Sequence, residues 1–285
     1  VGDLTDAWVF HAGALGDSIL IWPFLRALAH RWERVHLVSD GAKARLAAAL
    51  IMAPGEVLAH DAQHREFTRL WAGSAEAVHP DAGAVFNFLA DPGDSPAWST
   101  AASRMFPGAD LLSIGPPGHP SRAAAFQNAG VAKWGGVPAR STPSGPVVLH
   151  VGAGGDSKRW PMKRWRTLLE SLALPTLVLA GEVEAERFCA GEREDFAGLA
   201  GEFCTSLDAL REHLGDARAF VGADTGPTHL AAQLGLPTLA LFGPTDHRVW
   251  SPVGPRVRVL HPPAPSPMEW LDPARVQTAL EALLA

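Results

Sequence analysis

Along the chain, short apolar runs alternate with longer stretches in which apolar positions recur every three or four residues. The runs at 8–11, 35–38, 57–59, 84–89 and 111–114 predict strands, and the stretches at 18–31 and 43–50 predict helices among them. A Gly/Pro/Ser-rich stretch over 132–146 interrupts this rhythm and has the composition of a linker. The rhythm then restarts. Strands are predicted over 147–151, 176–179, 219–222, 238–242 and 257–260, and helices over 160–172, 184–190, 207–214, 227–234 and 273–284. Such alternation implies parallel sheets covered on both faces. The reading is an α/β chain of two similar domains, 1–138 and 139–285, with a cleft between them. Open α/β sheets bind ligands beyond the carboxyl ends of their strands, so the loops there are the first place to look for chemistry.

Composition narrows the classes. The chain has 285 residues, which fits about two domains at roughly 150 residues each. It is 47% apolar and 19% charged, enough for packed cores and too apolar for disorder. Lys+Arg total 24 against 30 Asp+Glu, so there is no cationic surplus to neutralise nucleic-acid phosphates. Cys189 and Cys204 are too few for a disulfide framework or a four-cysteine zinc site; they suit a reducing compartment, and no disulfide is expected. Ten Trp and twelve Phe stand beside no Tyr, which excludes any mechanism that needs a phenol. No signal peptide is evident, and the longest apolar run, 19–22, meets Pro23 at once, so a soluble, cytoplasmic protein is expected. His60 and His64 have i,i+4 spacing but lack the Glu of a zinc-protease helix, and read as surface residues.

Three loops carry candidate chemistry. After the first strand comes Gly13-Ala14-Leu15-Gly16-Asp17-Ser18, in which two glycines permit a tight turn and Asp17 opens a helix. The plain structural role for Asp17 is an N-cap. After the first strand of the second half comes His150-Val151-Gly152-Ala153-Gly154-Gly155-Asp156-Ser157-Lys158-Arg159-Trp160-Pro161. Its glycines, the following helix start with Pro161 at the first position, and the charges of Lys158 and Arg159 make an anion cradle. The third is Gly222-Ala223-Asp224-Thr225-Gly226-Pro227-Thr228-His229, where the N–H groups of Thr225 and Gly226 form a second cradle and His229 lies on the first turn. Asp224 or Thr225 as an ordinary helix cap is the structural alternative. The turn Phe242-Gly243-Pro244-Thr245-Asp246 should abut it. Two anion cradles in one half suggest a diphosphate, and an acidic turn in the other suggests a hydroxyl to deprotonate. A nucleotide-sugar transferase fits that division. No Asp-x-Asp metal–diphosphate clamp is present.

These strings resemble a known family. Gly16-Asp17, five residues, then Pro23, followed by Gly152-Ala153-Gly154-Gly155-x-Ser157-Lys158-Arg159-Trp160-Pro161 and Gly222-x-Asp224-Thr225-Gly226-Pro227-x-His229, are similar in type and order to the motifs of glycosyltransferase family 9, the ADP-heptose:lipopolysaccharide heptosyltransferases. The resemblance implies a GT-B architecture: an N-terminal Rossmann-like domain for the acceptor and a C-terminal one for the nucleotide sugar, facing a central cleft. It implies inverting transfer of heptose from ADP-heptose to a glycan or lipopolysaccharide-core-type acceptor, with no metal and no cofactor. Asp17 is then the general base. Gly154, Ser157, Lys158, Asp224, Thr225, Gly226 and His229 serve the donor, and His11, Gly13 and Gly16 lie on the acceptor side. Glu184 is the best match for the family's acidic ribose or base contact, with Glu182 and Glu186 as rivals. A monomer in peripheral contact with the inner membrane, and no nucleic-acid partner, complete the implication. The chain departs from the family at His11, where Arg is common, and at Val151, where Pro is common; its N-terminal half also looks shortened. A nucleotide-sugar epimerase or hydrolase and a non-catalytic nucleotide-sugar-binding protein are the competing classes. With no Tyr, sugar stacking falls to Trp or Phe, and Trp22 and Trp160 are the first candidates.

Overall fold

The structure, a computed structural model, describes residues 5–74, 76–88, 96–132, 136–140 and 144–285. The chain divides into two compact units, Val1–Gly136 and Val137–Ala285. The predicted strand end at Leu89, and 133–135 and 141–143 of the predicted linker, lie outside the described residues.

The first unit is a five-stranded sheet of β1 (Asp6–Phe10), β2 (Arg34–Ser39), β3 (Glu56–Asp61), β4 (Ala82–Asn87) and β5 (Asp110–Ser113). Its order is β3-β2-β1-β4-β5, and every pairing is parallel. All five residues of β1 are buried, as a central parallel strand requires. Helices α1 (Leu15–Ile19), α2 (Trp22–Leu28), α3 (Gly41–Leu50), α4 (Arg65–Trp71), α5 (Pro96–Met105) and α6 (Pro120–Ala129) connect the strands. The helix predicted over 18–31 is two helices. Pro23 has no N–H to give to a continuous ladder and sits instead in the first turn of α2.

Part of this unit's core is polar. Trp8 lies flat on His36 with ring centroids 4.0 Å apart, and packs on His79 at 4.4 Å and His60 at 5.2 Å. Asp6 Oδ2 accepts from His36 Nε2 at 3.0 Å, which leaves His36 Nδ1 to accept from His60 Nε2 at 2.9 Å. Burial, and then the neighbouring His36, push the pKa of His60 down to about 4. His60 is therefore not the surface residue its spacing suggested. It belongs to β3, whereas the exposed His64 caps α4, so the two never share a helix face.

The second unit is a six-stranded sheet of β6 (Val147–His150), β7 (Thr176–Ala180), β8 (Glu202–Phe203), β9 (Ala219–Ala223), β10 (Thr238–Leu241) and β11 (Val257–Leu260). It is parallel throughout, in the order β11-β10-β9-β6-β7-β8. Around it lie α7 (Met162–Ser171), α8 (Glu182–Arg187), α9 (Ala190–Ala197), α10 (Leu207–Asp216), α11 (Gly226–Gln233), α12 (His247–Trp250) and α13 (Pro273–Leu284). The helix predicted over 184–190 stops at Phe188, which turns extended, and Cys189 then begins α9. Trp160 and Trp165 meet edge to face within the core. Trp160 is 2% exposed and Trp22 1%, so neither offers a face to a sugar. Cys189 and Cys204 are both free thiols. Among the described residues no helix is long and apolar enough to cross a membrane.

Both sheets reverse strand order beside their first strand, at β1/β4 and at β6/β9. At such a point the two flanking connections leave in opposite directions and open a crevice at the carboxyl ends of the strands.

Candidate functional site

In the second unit the crevice is made by the loops after β6 and β9. The β6 loop runs through a 3₁₀ turn at Asp156–Lys158 into Pro161, which caps α7 and precedes its first residue. Pro161 is thus one position earlier than predicted. Lys158 Nζ donates to Asp224 Oδ2 at 2.8 Å, and His229 Nε2 lies 3.5 Å from Asp224 Oδ1. The two sequence strings therefore meet. Burial works to raise the Asp224 pKa, but the hydrogen bonds from His229 and Lys158 and their charges outweigh it, and the carboxyl is held below the usual carboxylate value. Lys158 has three N–H donors and uses one on Asp224.

Thr225 is the N-cap residue of α11, but its side chain makes no cap bond. Pro227 has no N–H and the Thr228 N–H donates to the Thr225 carbonyl at 3.1 Å, so the N–H groups this helix start can offer a ligand are those of Thr225 and Gly226. Thr228 Oγ1 reaches back to the Ala223 carbonyl at 2.5 Å and braces the turn. A Cβ on Gly222 would lie 2.7 Å from the Phe220 ring and 2.9 Å from Thr228 Oγ1, so the turn depends on glycine there. His229 is 3% exposed, and its Nδ1 has no hydrogen-bond partner.

Gly154 is different. A Cβ there would meet nothing within 4 Å, so no contact inside the chain demands a glycine; its smallness leaves backbone open to a ligand. Ser157 is exposed at the same turn. Arg159 does not add free charge to the cradle as predicted. It is paired with Asp156 and, at 2.6 Å, with Glu192, and it lies over the Phe188 ring.

Glu184 is buried beneath the loop, 4% exposed. Its Oε1 accepts from Ala153 N–H at 2.9 Å and its Oε2 from Gly181 N–H at 3.0 Å. It ties the glycine-rich loop to the start of α8. A Cβ on Gly152 would fall 2.4 Å from this carboxylate, which explains that glycine. Glu182 and Glu186, the rivals, are both exposed on α8. His150, at the end of β6, is fully buried, and burial pushes its pKa down to about 4 against a backbone hydrogen bond at Gly152.

The sequence reading missed the segment after β11. A cavity of about 300 Å³ lies between the β6 loop and this segment, lined by Ser157, Arg159, Pro244, Pro267 and Met268. Met268 Sδ would be 2.5 Å from a Cβ on Gly243, so the glycine of that turn admits the wall. Asp246, in the same motif, caps α12 and pairs with Arg248.

In the first unit the β1 loop makes its turn at Gly13, with φ +132°, a conformation open to glycine. Gly16 lies inside α1 and needs no such freedom, so a single glycine makes the turn. Asp17 is not the N-cap. It sits in the first turn of α1, and its Oδ2 accepts from the Ala14 N–H at 3.0 Å. Lys43, from α3, donates to the Gly13 carbonyl at 2.7 Å. His11 is buried behind the loop, its Nδ1 unpartnered. Its burial, then the charges of Arg122 and Lys43, push its pKa down to about 4. Arg122, on α6, was not anticipated. Its guanidinium lies over the Phe88 and Phe126 rings at 5.5 and 5.3 Å and within electrostatic reach of Asp17.

Comparison with known proteins is consistent with this geometry. The family model described as "Glycosyltransferase family 9 (heptosyltransferase)" matches residues 119–269, just over half of the chain. Lipopolysaccharide heptosyltransferase 1 of Pseudomonas aeruginosa is 42% identical over 107 residues, a match that covers 35% of this chain and 29% of that protein. The chain thus matches less than a third of that curated relative's length. Among solved structures, Escherichia coli heptosyltransferase WaaC with ADP superposes with a TM-score of 0.67 at 17% identity, covering 98% of this chain and 100% of that one. Escherichia coli ADP-heptose lipopolysaccharide heptosyltransferase II gives 0.65 at 16% identity, covering 98% of each chain. At these identities the likeness shows the fold, and the fold is the GT-B fold of those enzymes.

Proposed function

The chain belongs to glycosyltransferase family 9, and from that premise we propose that it moves heptose from ADP-heptose to a hydroxyl of a lipopolysaccharide-core-type acceptor, with inversion and without a metal. The second unit holds the donor and the first the acceptor. The observation that carries the reading is the meeting of Lys158, Asp224 and the α11 N-terminus at one switch point, an arrangement suited to a diphosphate.

The chemistry follows from the charges. As the bond from the sugar carbon to the diphosphate breaks, its electron pair leaves with ADP, and negative charge grows on the phosphate oxygens. Lys158 and the N–H groups of Thr225 and Gly226 are fixed donors where that charge develops. Asp224 holds Lys158 in place, and buried His229 backs Asp224. Ser157 and the open backbone at Gly154 line the approach, and the bond network of Glu184 keeps the loop in shape. Glu184 sits where the family's ribose contact is expected, and we assign it the support of that loop.

On the acceptor side the hydroxyl oxygen forms the new bond to the sugar carbon, and its proton passes to Asp17. One Asp17 oxygen is occupied by the Ala14 N–H, which orients the carboxylate and leaves the other for the proton. Gly13 shapes the turn, Gly16 begins the helix, and His11 stays neutral behind them. A cytoplasmic location, surface contact with the inner membrane and a monomeric state are carried over with the family likeness, and belong to the same proposal.

A thermal-shift series with ADP, UDP and GDP tests the donor. A ligand at 100 times its dissociation constant adds about 2.7 kcal/mol of stability. Stabilisation by ADP above the other two supports the reading, and preference for UDP or GDP overturns the heptose donor. Release of ADP from ADP-heptose without any acceptor would place the chain among hydrolases.

A further inference from the structure

The 3₁₀ turn that carries Lys158 has little to hold it. None of its three residues, Asp156–Lys158, is buried. Gly154 and Gly155 precede it, and a Cβ on either would meet nothing within 4 Å. Two glycines without packing leave the backbone much freedom to lose. Upstream the loop is tied at Ala153 by Glu184, and downstream at Trp160, whose Nε1 donates to the Leu271 carbonyl at 3.0 Å. Between those ties, among the described residues, two side chains bond the turn to other elements. One is Lys158 itself, through Asp224, and the other is Arg159.

Arg159 meets a partner that is already fixed. Its Nη1 donates to Glu192 Oε1 at 2.6 Å, its Nη2 donates to Asp156, and its guanidinium lies 5.6 Å from the Phe188 ring centroid. Glu192 is the third residue of α9, and its Oε2 accepts from the Cys189 N–H at 2.9 Å. The helix start thus orients the carboxylate before Arg159 reaches it. That N–H, and then the charge of Arg159, hold the Glu192 carboxyl below the usual carboxylate value. Phe188, just before α9, and Phe196, within it, seat the helix in the core. Asp156 is 87% exposed, and exposed ion pairs contribute little, so the arm to Glu192 is the stronger one. A line of bonds therefore runs from α9 through Glu192 and Arg159 to the turn, and from Lys158 on to Asp224. The Lys158 ammonium rides on a flexible four-carbon stem, so it is only as well placed as the turn beneath it. A misplacement of about 1 Å at a reacting site can cost on the order of 10²-fold in rate.

We propose that Arg159 is a positioning residue for the transfer: clasped by Glu192, it fixes the turn that aims Lys158 at the diphosphate. The inference rests on the reading of the second unit as the donor side. Arg159 acts through Lys158 and touches no substrate.

The test is a double-mutant cycle on the full chain, read by calorimetric titration with ADP and with adenosine. Arg159→Gln is expected to weaken ADP about threefold to tenfold and to leave adenosine within about twofold. Arg159→Lys should recover part of the loss, since a point charge replaces the fork. In a Lys158→Ala background, Arg159→Gln should change ADP affinity no further. Unchanged ADP affinity in Arg159→Gln overturns the proposal. So does an equal loss for ADP and adenosine, which marks a merely structural role, or a full additional loss in the Lys158→Ala background, which marks a direct contact. If Arg159→Gln does not fold, Glu192→Gln decides, and ADP affinity unchanged there overturns the proposal. Trace acetylation of the nucleotide-free chain, read by mass spectrometry, separates this idea from the donor reading. A lysine released from its carboxylate loses protonation and reacts faster. The rate at Lys158 relative to exposed Lys163 should therefore rise about threefold or more in Arg159→Gln, whether or not ADP binds. An unchanged ratio overturns the clasp, whereas failure of the donor reading appears in the wild-type nucleotide series above.

Discussion

Glu184→Gln separates two roles that one residue could play. The side chain keeps its size and loses its charge. One amide oxygen can still accept, but the NH₂ group then faces a backbone N–H, either that of Ala153 or that of Gly181. A hydrogen bond to a charged group is worth about 1.5–3 kcal/mol, and a buried donor left unmatched adds a penalty of similar size. With some relaxation of the loop, the expected loss is about 2–3 kcal/mol. At about 2–4 °C per kcal/mol for a unit of this size, the melting transition should fall by roughly 4–12 °C. Scanning calorimetry measures this directly, and ADP affinity is measured in parallel. If Glu184 shapes the loop, stability falls and ADP binding weakens as a consequence. If ADP affinity collapses while the melting temperature stays within about 1 °C, the loop-support argument is wrong and Glu184 is a direct nucleotide contact.

Asp17→Asn should lower transfer by about 10²-fold or more while ADP affinity stays within about twofold, because the base touches only the acceptor; loss of ADP binding would reduce Asp17 to a brace of its loop. Lys158→Ala should weaken ADP about tenfold or more and adenosine hardly at all, as read by calorimetric titration; equal effects on both would remove Lys158 from the diphosphate. Acid should destabilise the second unit in a definite window. His150 is held neutral with a pKa of about 4, below its ordinary value of 6.5, so its contribution is full above about 6.5 and is lost progressively as the pH falls towards 4. The limb amounts to about 3 kcal/mol, and His150→Gln should flatten it in pH-dependent melting; an unchanged limb would assign it to other groups.

Much of the fold could be read from local pattern. The strands of both sheets announced themselves because parallel strands buried on both faces are short continuous apolar runs. What escaped was shorter or less regular. The two residues of β8 are too few to show a period, α4 is only seven residues long, and α6 buries no residue and so has no apolar stripe to read. The site was legible as three loops, and folding brought two of them together at Lys158 and Asp224. The partners were not legible. Nothing in the sequence indicates that Glu192, 33 residues away, quenches Arg159, or that Glu184 binds backbone at Ala153. Arg122 lay outside every motif; its one local signal is a place in the first turn of a helix opened by Pro120. Only the packing of α6 brings it beside Asp17.

Of the ten indoles in the chain, the histidine stack makes Trp8 one whose emission depends on its neighbours' protonation. With no Tyr in the chain, near-ultraviolet emission belongs to the indoles. Trp8 lies against three imidazoles, and imidazolium quenches indole fluorescence where neutral imidazole does so weakly. Burial keeps the pKa of both His36 and His60 below the ordinary histidine value, so these two imidazoles become quenchers of Trp8 only in acid. The acid-dependent part of the emission that Trp8→Phe removes therefore reports the protonation of that core.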